Sequence, residues 1–370
     1  MKIGIDISQS AYTATGVGQY TINLVKSLLE QDNENEYKLF FSSLRRSVPE
    51  QLTEFSKLIK RYRLPPRVLE VFWNRLHVLP IEKLIGEVDV FHSSDWLEPP
   101  GRVVKVTTVH DLVAYRYPET LHARIVSMQK RKLHFAKKET KLFIADSIST
   151  KKDMVEILGI DEKRIRVIYL GVSDIFRPAG SSKKKEVLKK HGIENRYVLS
   201  VGTREPRKNL FRLVEAFRKL KQEEAKLKDL ILVIVGSFGW GEDLEKLNSG
   251  SDIKIMKNLD QKELAAFFSA ADCFVYPSLY EGFGLPVLEA MGCGAPVVTS
   301  DRGSLAEIAG PSCVVDPEKE ERIMEGMAKI LFLNDNDRKK MVKKGIAWSE
   351  KFTWEKTAKE TLDVYREAAK

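Results

Sequence analysis

The sequence predicts an α/β protein made of two doubly wound domains, each with a parallel sheet covered by helices. Short apolar runs alternate with amphipathic helical stretches along the whole chain, which is typical of parallel sheets flanked by helices. The chain has 370 residues, enough for two domains of roughly 100–200 residues each. With 43% hydrophobic residues and no uninterrupted apolar run of about 18 residues, it predicts globular domains and no membrane-spanning helix.

The first half contains six predicted strands, and the helical periodicity between them is clearest at Tyr20–Glu30 and Arg124–Lys141. The strands are Lys2–Ile7, Tyr37–Phe41, Val88–His92, Val103–Val109, Leu142–Asp146 and Ile165–Tyr169. The second half repeats the pattern, with strands at Tyr197–Val201, Leu230–Val235, Ile253–Met256, Cys273–Tyr276, Pro296–Ser300 and Cys313–Val315. Its predicted helices are Leu210–Ala225, Gln261–Ala271, Val287–Met291 and Lys319–Leu333.

A segment rich in turn-forming and charged residues, VSDIFRPAGSSKKK at 172–185, separates the two halves. It lacks apolar periodicity, so we interpret it as an interdomain linker. The predicted domains are therefore residues 1–173 and 186–351, joined by a linker at 174–185. Ligands of doubly wound folds bind beyond the carboxyl ends of the strands, so two such domains facing one another would form a cleft.

The composition argues against several kinds of site. The net charge is +9, but residues 1–175 hold 27 basic and 22 acidic groups, a net of +5, which leaves +4 for the rest. The basic residues follow no recognised nucleic-acid module and no aromatic base-stacking array, so nucleic acid is not an expected partner. Three cysteines without CxxC spacing and six scattered histidines argue against a metal site or a disulfide framework. The N-terminus MKIGIDIS has neither a signal nor a transit peptide, which predicts a cytoplasmic protein.

The clearest chemical signal is the stretch CFVYPSLYEGFGLPVLEAMGCGAPVVT at 273–299. A buried-type strand ends at Pro277, and a loop with Gly282 and Gly284 leads to Pro286 and a helix. The glycines permit a tight turn and close approach of a ligand, and proline is favoured at the first helical position. The N–H groups and the dipole at such a helix start form an anion site suited to phosphate.

Two carboxylates flank this predicted phosphate site. Glu281 precedes it, and Glu289 lies in the first turn of the helix, three residues after Pro286. Carboxylates beside a phosphate make chemical sense when they hold the hydroxyl groups of a ribose and a sugar. The residues alone leave an alternative open, in which both glutamates are solvated charges around an ordinary strand–turn–helix.

The segment EGFGLPVLE resembles the Glu–seven residues–Glu motif of retaining glycosyltransferases of family 4, and GCGAPVVTSDRGSLAEIAG resembles the continuation of that motif. The resemblance covers essentially the whole chain. It implies the GT-B architecture, in which two Rossmann-like domains face each other across a cleft. The N-terminal domain would then lie on the acceptor side, the C-terminal domain would bind the nucleotide sugar, and a final helix at 352–370 would cross back to the first domain.

The same resemblance implies roles for individual residues of the motif. Glu289 would bind the ribose of the nucleotide, and Glu281 would contact the donor sugar. The backbone around the sugar and the distal phosphate would be supplied by Gly282, Phe283, Gly284 and Leu285.

A second similarity lies in VGTREPRKNL at 201–210, directly after the first strand of the second domain. Arg207 and Lys208 can offer a bidentate guanidinium and an ammonium to a diphosphate. Two isolated basic residues beside a turn are usually solvated, but the resemblance implies that these bind the donor. Many relatives have an arginine directly after the glycine of this strand, where this chain has Thr203. Either Arg204 or Arg207 would take that role.

A glycine-containing loop, ATGVGQY at 14–20, follows the opening strand of the first domain. Gly16 and Gly18 could bring the backbone close to a phosphate or a sugar. Thr21 and the length of the loop do not fit a nicotinamide or flavin fingerprint. The resemblance implies a glycine-rich loop here that faces the donor diphosphate and the acceptor.

The ends of two other strands carry polar residues. His110 and Asp111 follow the strand Val103–Val109 directly, where a histidine can reach a ligand or can be an ordinary structural residue. The resemblance implies that His110 contacts the donor sugar near the reacting carbon and that Asp111 orients it or binds the acceptor. After the next strand, Ser147 or Ser149 is interpreted as a helix cap.

Basic residues are concentrated at 45–75 and 124–141, interleaved with apolar ones. At helical spacing Arg124, Arg131 and Lys138 share one face. This amphipathic pattern suits an anionic membrane surface, and a solvated helix face is an equal alternative.

Together these features predict a retaining glycosyltransferase that moves a hexose from a nucleotide diphosphate sugar to a hydroxyl of a glycan or lipid-linked saccharide in cell-envelope synthesis. GDP-mannose is the preferred donor, because HDL, YPE, GT-x-EPRKN and EGFGLPVLE together resemble bacterial mannosyltransferase-like members. UDP-glucose and UDP-N-acetylglucosamine are alternative donors, and a nucleotide-sugar epimerase or a non-catalytic binder are alternative functions. Leu259, after a second-domain strand, is expected beside the nucleobase. No metal or other cofactor is expected, and the protein would be cytoplasmic or peripheral on the inner membrane face.

Overall fold

The structure is a computed structural model that describes residues 1–237, 239, 252–257 and 259–370. The chain divides into two compact units of similar size. One contains Met1–Gly171 together with Thr353–Lys370, and the other contains Val172–Phe352. Each unit has one wholly parallel sheet with helices packed on it, so the predicted class of two doubly wound α/β domains is confirmed.

The first unit has a seven-stranded sheet in the order β3-β2-β1-β4-β5-β6-β7. The strands are β1 Lys2–Asp6, β2 Glu36–Ser42, β3 Ile59–Tyr62, β4 Val90–Ser93, β5 Val104–Val109, β6 Thr140–Ala145 and β7 Ile165–Val167. Because the order runs one way from β1 to β2 and the other way from β1 to β4, a topological switch point lies between β1 and β4.

Helices cover both faces of this sheet and end with the C-terminal segment of the chain. They are α1 Gly16–Gln31, α2 Pro66–Leu69, α3 Glu82–Ile85, α4 Val113–Arg116, α5 Ala123–Glu139, α6 Ile148–Leu158 and α14 Trp354–Ala369. A π-helical turn at Glu70–Arg75 follows α2. Helix α14 packs on α1 and on β5, so the last residues of the chain belong to the core of the first unit.

The second unit has a six-stranded sheet in the order β10-β9-β8-β11-β12-β13, with its switch point between β8 and β11. The strands are β8 Tyr197–Val201, β9 Ile231–Val235, β10 Ile253–Met256, β11 Cys273–Tyr276, β12 Val297–Ser300 and β13 Cys313–Val315. The helices are α7 Ser181–Lys190, α8 Leu210–Glu223, α9 Gln261–Ala270, α10 Leu285–Gly292, α11 Gly303–Ile308, α12 Glu320–Leu331 and α13 Asp335–Ser349.

The expected linker at 174–185 lies wholly within the second unit. Phe176 is buried there, and α7 already begins at Ser181. The helix was not predicted because SSKKKEVLKK has almost no apolar residues to show a period. Val187 is buried and α7 packs against α9, which is enough to anchor a strongly charged helix to the unit.

Several further elements were missed in the sequence for the same reason, a weak or short apolar pattern. Strand β3 lies at the sheet edge and has no fully buried residue, and α13 exposes most of its length. Helix α10 starts at Leu285, so Pro286 is its second residue and not its first. In the described part of the chain, no helix has the length and hydropathy needed to cross a membrane.

Candidate active site

The loops after β8 and β11 meet because the two strands are parallel neighbours at the switch point of the second sheet. Cys273 of β11 pairs with Val198 of β8, so the carboxyl ends of both strands lie at the same edge. The Leu279 N–H donates to the Arg207 carbonyl oxygen at 2.9 Å, and the Asn209 amide donates to the Pro277 carbonyl at 3.1 Å. The two predicted motifs therefore form one site.

Glu281 lies at the centre of this site between two cations. Its Oε1 accepts a hydrogen bond from Lys208 Nζ at 2.7 Å, and its Oε2 is 2.8 Å from Arg207 Nη1. Lys208 Nζ also donates to the Tyr276 hydroxyl at 2.7 Å. Each of the three charged side chains is only about one-tenth exposed, with values of 10% for Arg207 and Glu281 and 11% for Lys208.

The protonation of this cluster follows from burial and charge together. Burial alone would raise the pKa of Glu281, but the charges of Arg207 and Lys208 outweigh it and lower the pKa to about 2. Burial lowers the pKa of Lys208, against the opposing charge of Glu281. Glu281 is therefore ionised at every physiological pH, and it holds the two cations in place before any ligand arrives.

Arg207 is the arginine that shares this cluster. Its Nη1 donates to the Tyr280 carbonyl oxygen at 2.6 Å, and its Nη2 bonds to Glu205. Arg204 is also buried, and its backbone N–H donates to the Ser237 carbonyl at 3.1 Å. Of the two arginines expected near the diphosphate, Arg207 is the one whose guanidinium pairs with Glu281, at 2.8 Å.

The glycine loop before α10 is shaped by packing as well as by its proximity to the cluster. Gly284 has a φ of 106°, and a Cβ there would lie 2.5 Å from Leu305 Cδ2. It serves as the N-cap of α10, so the helix begins directly after it at Leu285. The Glu281 carbonyl accepts a hydrogen bond from Ser304 Oγ at 2.7 Å, which ties the loop to α11. Gly282 and Phe283, between these anchors, are buried.

Glu289 behaves differently from Glu281. It lies on α10, is half-buried, and has no ion pair or side-chain hydrogen bond with any residue that the structure describes. Burial raises its pKa to about 8, so the carboxyl group is largely neutral at pH 7. A carboxyl group of this kind can both donate and accept a hydrogen bond, which suits a hydroxyl group as its partner.

His110 is held by Asp146 at the corresponding edge of the first sheet. His110 Nδ1 is 2.6 Å from Asp146 Oδ2, and the imidazole stacks edge-on against Tyr20 with ring centroids 4.5 Å apart. Although burial opposes it, the Asp146 carboxylate raises the pKa of His110 to about 9. The imidazole is therefore protonated at neutral pH, and its Nε2–H has no partner among the described residues.

Neighbouring candidates of the first unit have structural contacts of their own. Asp111 Oδ1 accepts a hydrogen bond at 3.0 Å from the N–H of Val113, the first residue of the short helix α4. Ser147 Oγ accepts from the Thr150 N–H at 3.0 Å, which confirms its predicted role as the cap of α6. Ser149 lies one residue inside that helix.

The two glycines of the first loop have different explanations. A Cβ at Gly18 would lie 2.2 Å from the Tyr12 carbonyl oxygen, so the fold itself requires glycine there. A Cβ at Gly16 would meet nothing within 4 Å. Gly16 is exposed at the first position of α1, where Thr15 is the N-cap. The glycine at 16 is therefore the one that packing does not explain.

Leu259 follows β10, which is an edge strand of the second sheet, and it is half-buried. Asn258, which directly precedes Leu259, lies outside the described residues. Thr203 follows Gly202, the residue directly after β8, where a φ of 148° turns the chain.

The basic face predicted on α5 is partly neutralised. Arg124 Nη2 lies 3.0 Å and Arg131 Nη2 lies 2.7 Å from the buried Glu70 carboxylate. Lys132 is fully buried, where it donates to Thr107 Oγ1 at 2.7 Å. Of the three residues assigned to the membrane face, Arg124 and Arg131 thus form ion pairs inside the first unit.

Sequence reasoning missed Tyr276, Glu205, Tyr20 and Asp146 as parts of these sites. Tyr276 and Asp146 lie at the carboxyl ends of strands, where ligands of this fold class bind. Many other residues share that position, so it does not single these two out. Tyr20 lies on α1 and Glu205 in the loop before Arg207, and nothing in their local sequence indicates which side chain they contact.

Comparison with known proteins places the chain in a family. The sequence model of "Glycosyl transferases group 1" matches residues 183–348, and that of "Glycosyltransferase Family 4" matches residues 14–176. The chain is 29% identical to O-antigen chain mannosyltransferase B of Escherichia coli, over 99% of this chain and 100% of that protein. It is 26% identical to O-antigen chain mannosyltransferase RfbU of Salmonella typhimurium, over 90% and 91% of the two chains.

Solved structures share the fold at low sequence identity. Sucrose-phosphate synthase from Thermosynechococcus elongatus has a TM-score of 0.76 at 20% identity, with 99% of this chain and 98% of that one covered. HepE of Anabaena in complex with UDP and glucose has a TM-score of 0.74 at 16% identity, with 99% and 100% covered. This chain is a group 1 glycosyltransferase with the GT-B fold.

Proposed function

We propose that this glycosyltransferase transfers mannose from GDP-mannose, with retention at the anomeric carbon, to a hydroxyl group of a glycan or lipid-linked saccharide in the synthesis of a cell-envelope polysaccharide. The observation that carries the choice of sugar and pathway is the full-length similarity to the Escherichia coli O-antigen mannosyltransferase. The similarity to RfbU, another O-antigen mannosyltransferase, supports the same choice.

Lys208 and Arg207 would bind the diphosphate of the donor. Breaking the glycosidic bond of a nucleotide sugar places negative charge on the leaving diphosphate. Two buried cations that are already oriented stabilise that charge without reorganisation, and they do so more strongly than solvated cations would. We therefore expect no metal ion or other cofactor. Thr203 and Arg204, on the same loop, would border the phosphates.

The loop before α10 and Glu289 would hold the rest of the donor. Backbone N–H groups at the helix start, from Gly282 to Leu285, would face the distal phosphate and the sugar. The half-buried carboxyl group of Glu289, which has no partner among the described residues, would take a ribose hydroxyl. Leu259 would lie beside the nucleobase, and the backbone at Gly16 would approach the diphosphate.

His110 would contact the donor sugar through Nε2–H. The Asp146 carboxylate fixes the ring at Nδ1 and keeps it protonated, so Nε2 can only donate. A donor at this position would bind a sugar hydroxyl or stabilise the departing oxygen.

Attack of the acceptor on the same face that the diphosphate leaves is the mechanism that we favour over a covalent intermediate. In the same-face route, the departing phosphate oxygen takes the proton of the acceptor hydroxyl. A covalent route would require Glu281 as the nucleophile. Its carboxylate, with a pKa of about 2 and both oxygens bound to cations, is a weak nucleophile.

A donor panel tests this function directly. The protein is mixed with GDP-mannose, UDP-glucose, UDP-N-acetylglucosamine and the parent nucleotides, and melting temperature and nucleoside diphosphate release are followed. We expect GDP-mannose to give the largest rise in melting temperature and acceptor-dependent release of GDP, and the product to keep the α-configuration by NMR. Release from a UDP-sugar alone would overturn the choice of donor. Interconversion of two nucleotide sugars without transfer would indicate an epimerase, and saturable binding without turnover would indicate a binding protein.

An exposed apolar patch supports binding to an anionic membrane surface. Val71, Phe72, Leu76 and Val78 are 40%, 37%, 60% and 46% exposed. Arg67 and Arg75 are exposed on the same segment, and the pairing of Arg124 with Glu70 places α5 beside it. Apolar side chains rimmed by arginines can enter the interface while the guanidinium groups bind lipid phosphates. We propose this surface as the place where a lipid-linked acceptor would be met.

A further inference from the structure

A chain of buried polar side chains runs from the C-terminal helix to the neighbourhood of His110. Tyr365 of α14 has its hydroxyl 2.6 Å from His92 Nδ1, and His92 Nε2 lies 2.9 Å from Thr108 Oγ1. Thr108 Oγ1 is in turn 2.8 Å from the Tyr20 hydroxyl. The Tyr20 ring then stacks edge-on against the His110 imidazole.

The His92 imidazole is neutral, and its protonation state constrains which of its two hydrogen-bond partners donates and which accepts. Burial, with the nearby positive charges of Lys132 and His110, lowers the pKa of His92 to about 3. A neutral imidazole has one N–H and one lone pair, so it donates at one nitrogen and accepts at the other. Tyr365 and Thr108 must therefore take opposite roles towards His92.

Three arrangements of the hydrogen bonds satisfy this constraint. In the first, Tyr365 donates to Nδ1, Nε2–H donates to Thr108, and the Thr108 hydroxyl donates to the Tyr20 oxygen. In the second, every bond is reversed. In the third, Thr108 accepts from both Nε2–H and the Tyr20 hydroxyl, because a hydroxyl oxygen has two lone pairs. Each arrangement leaves one hydroxyl hydrogen without a partner among these residues, at Tyr20 in the first, at Tyr365 in the second and at Thr108 in the third.

Burial distinguishes the three arrangements. Thr108 is 2% exposed, and no described residue other than His92 and Tyr20 bonds to its hydroxyl, so the third arrangement leaves a buried donor unpaired. Tyr365 is 0% exposed, and no described residue other than His92 bonds to its hydroxyl, so a spare hydrogen there would stay unpaired in the core. Tyr20 instead lines a small cavity beside His110, where a ligand or a water molecule can accept the hydrogen. Unpaired buried donors are costly, so the spare hydrogen belongs at Tyr20.

The cavity shows a further sign that it is built for a polar ligand. Asp6 Oδ2 and Gln9 Nε2 belong to side chains that are each 3% exposed, and they have no hydrogen-bond partner among the described residues. Both residues line the same cavity as Tyr20, at the carboxyl end of β1 next to the switch point of the first sheet.

We infer that the Tyr20 hydroxyl is a substrate-binding donor, directed into the cavity beside His110 by the chain that begins at Tyr365 and passes through His92 and Thr108. Its partner is a sugar oxygen at the reacting end of the donor or of the acceptor; this identification of the occupant rests on the proposed function, whereas the direction of the chain does not. Tyr365 is a positioning residue, and His92 and Thr108, which also line the cavity, act through the hydrogen bonds that orient the Tyr20 hydroxyl.

The direction of the chain is tested without any substrate. Long-range ¹H–¹⁵N NMR of the histidine-labelled full-length protein at pH 7.5 reports which nitrogen of His92 carries the hydrogen. We expect the Nε2–H form, and expect Tyr365→Phe to shift the His92 Nδ1 resonance because it loses its donor. Tyr37→Phe is the matched control, since the Tyr37 hydroxyl is also buried but bonds to Asp32. An Nδ1–H form of His92 in the wild-type protein would overturn the inference.

The role of Tyr20 is tested by kinetics with the donor that the panel identifies. Tyr20→Phe keeps the ring against His110 and removes only the hydroxyl, so we expect about a tenfold or larger loss of kcat/KM with the melting temperature little changed. Tyr365→Phe should lose several-fold, and Tyr37→Phe should lose none. Unchanged turnover in Tyr20→Phe would overturn the assignment. Absence of turnover in the wild-type protein with every donor would count against the proposed function alone, because the tautomer of His92 is measured independently.

Discussion

The carboxylate of Glu281 lies within 2.7 Å of Lys208 Nζ and 2.8 Å of Arg207 Nη1, so one buried anion holds two buried cations. Glu281→Gln would leave Lys208 without its carboxylate partner and Arg207 with Glu205 alone, and we expect it to destabilise the protein by about 3 kcal/mol. Because the folded-state pKa of Glu281 is lowered to about 2, its contribution to stability is complete above pH 4.5 and is lost as the pH falls towards 2. Thermal unfolding across this range measures it.

The double variant Glu281→Gln with Lys208→Met provides the control for this ion pair. Removing one cation together with the anion should recover part of the lost stability, while donor turnover stays at least about 100-fold reduced. Equal melting temperatures of wild-type protein and Glu281→Gln at pH 7 would contradict the stabilising role of the pair.

Glu289→Gln should separate stability from binding. The pKa of the carboxyl group is raised to about 8, so ionisation costs folding free energy, and stability falls as the pH rises from 4.5 through 8. The neutral amide avoids that cost, so we expect a gain of about 1–2 kcal/mol at pH 9 and no gain at pH 4. Donor affinity, measured by calorimetry at pH 7, should fall about tenfold. A variant that loses stability at pH 9 or binds the donor as tightly as wild type would contradict the assignment.

Asp146→Asn should change the pH dependence of transfer through His110. The carboxylate of Asp146 holds the pKa of His110 at about 9, so transfer that needs the protonated imidazole should persist below pH 9 and decline above it. With the neutral amide we expect the decline to move below pH 7. NMR titration of His110 and the pH profile of kcat measure the same shift independently.

Asp153→Asn is a matched control for that experiment, because Asp153, on α6, is also buried but pairs with Arg116. It should leave the profile unchanged. A profile that is the same in wild type and Asp146→Asn would rule out protonated His110 as the required form.

Gly16→Ala and Gly18→Ala should have opposite effects on stability and activity. A Cβ at position 18 would collide with the Tyr12 carbonyl, so Gly18→Ala should cost about 1–3 kcal/mol of stability. Gly16→Ala has free space and should keep or slightly raise the melting temperature. If the diphosphate approaches the backbone at Gly16, the methyl group should still lower kcat/KM. Full activity of Gly16→Ala would mean that no substrate comes close there.

Vesicle flotation tests the membrane surface. We expect the wild-type protein to float with vesicles that contain anionic lipid and not with neutral ones, and Phe72→Ser with Leu76→Ser to abolish flotation. Phe332→Ser is the control, since Phe332 is 46% exposed but lies on the second unit. Equal, negligible binding of wild-type protein to both kinds of vesicle would contradict the proposal.

Much of the fold was predictable because strands buried on both faces produce dense apolar runs. Among the strands that the structure describes, all of those in the second unit and all but β3 in the first agree with the predicted positions within a few residues. The elements that the sequence did not predict, such as α7 and α13, have few buried residues. Charged residues occupy most of their positions, so the sequence shows no apolar periodicity that would indicate a helix. The membrane face on α5 was predicted from helical spacing alone, and spacing does not reveal that Glu70, more than fifty residues earlier, would pair with Arg124 and Arg131.

The sequence by itself determined the fold class, the family and the residues of the Glu281–Glu289 motif and of Arg207 and Lys208, because local patterns encode strands, turns and short motifs. Only the tertiary structure decided that Glu281 binds both Arg207 and Lys208, and that Asp146 keeps His110 protonated. It also decided that hydrogen bonds through His92 and Thr108 connect Tyr365 to Tyr20. These contacts join residues that are 16 to 273 positions apart. Their effect comes from burial in a low-dielectric interior, which strengthens each interaction and which no short stretch of sequence reveals.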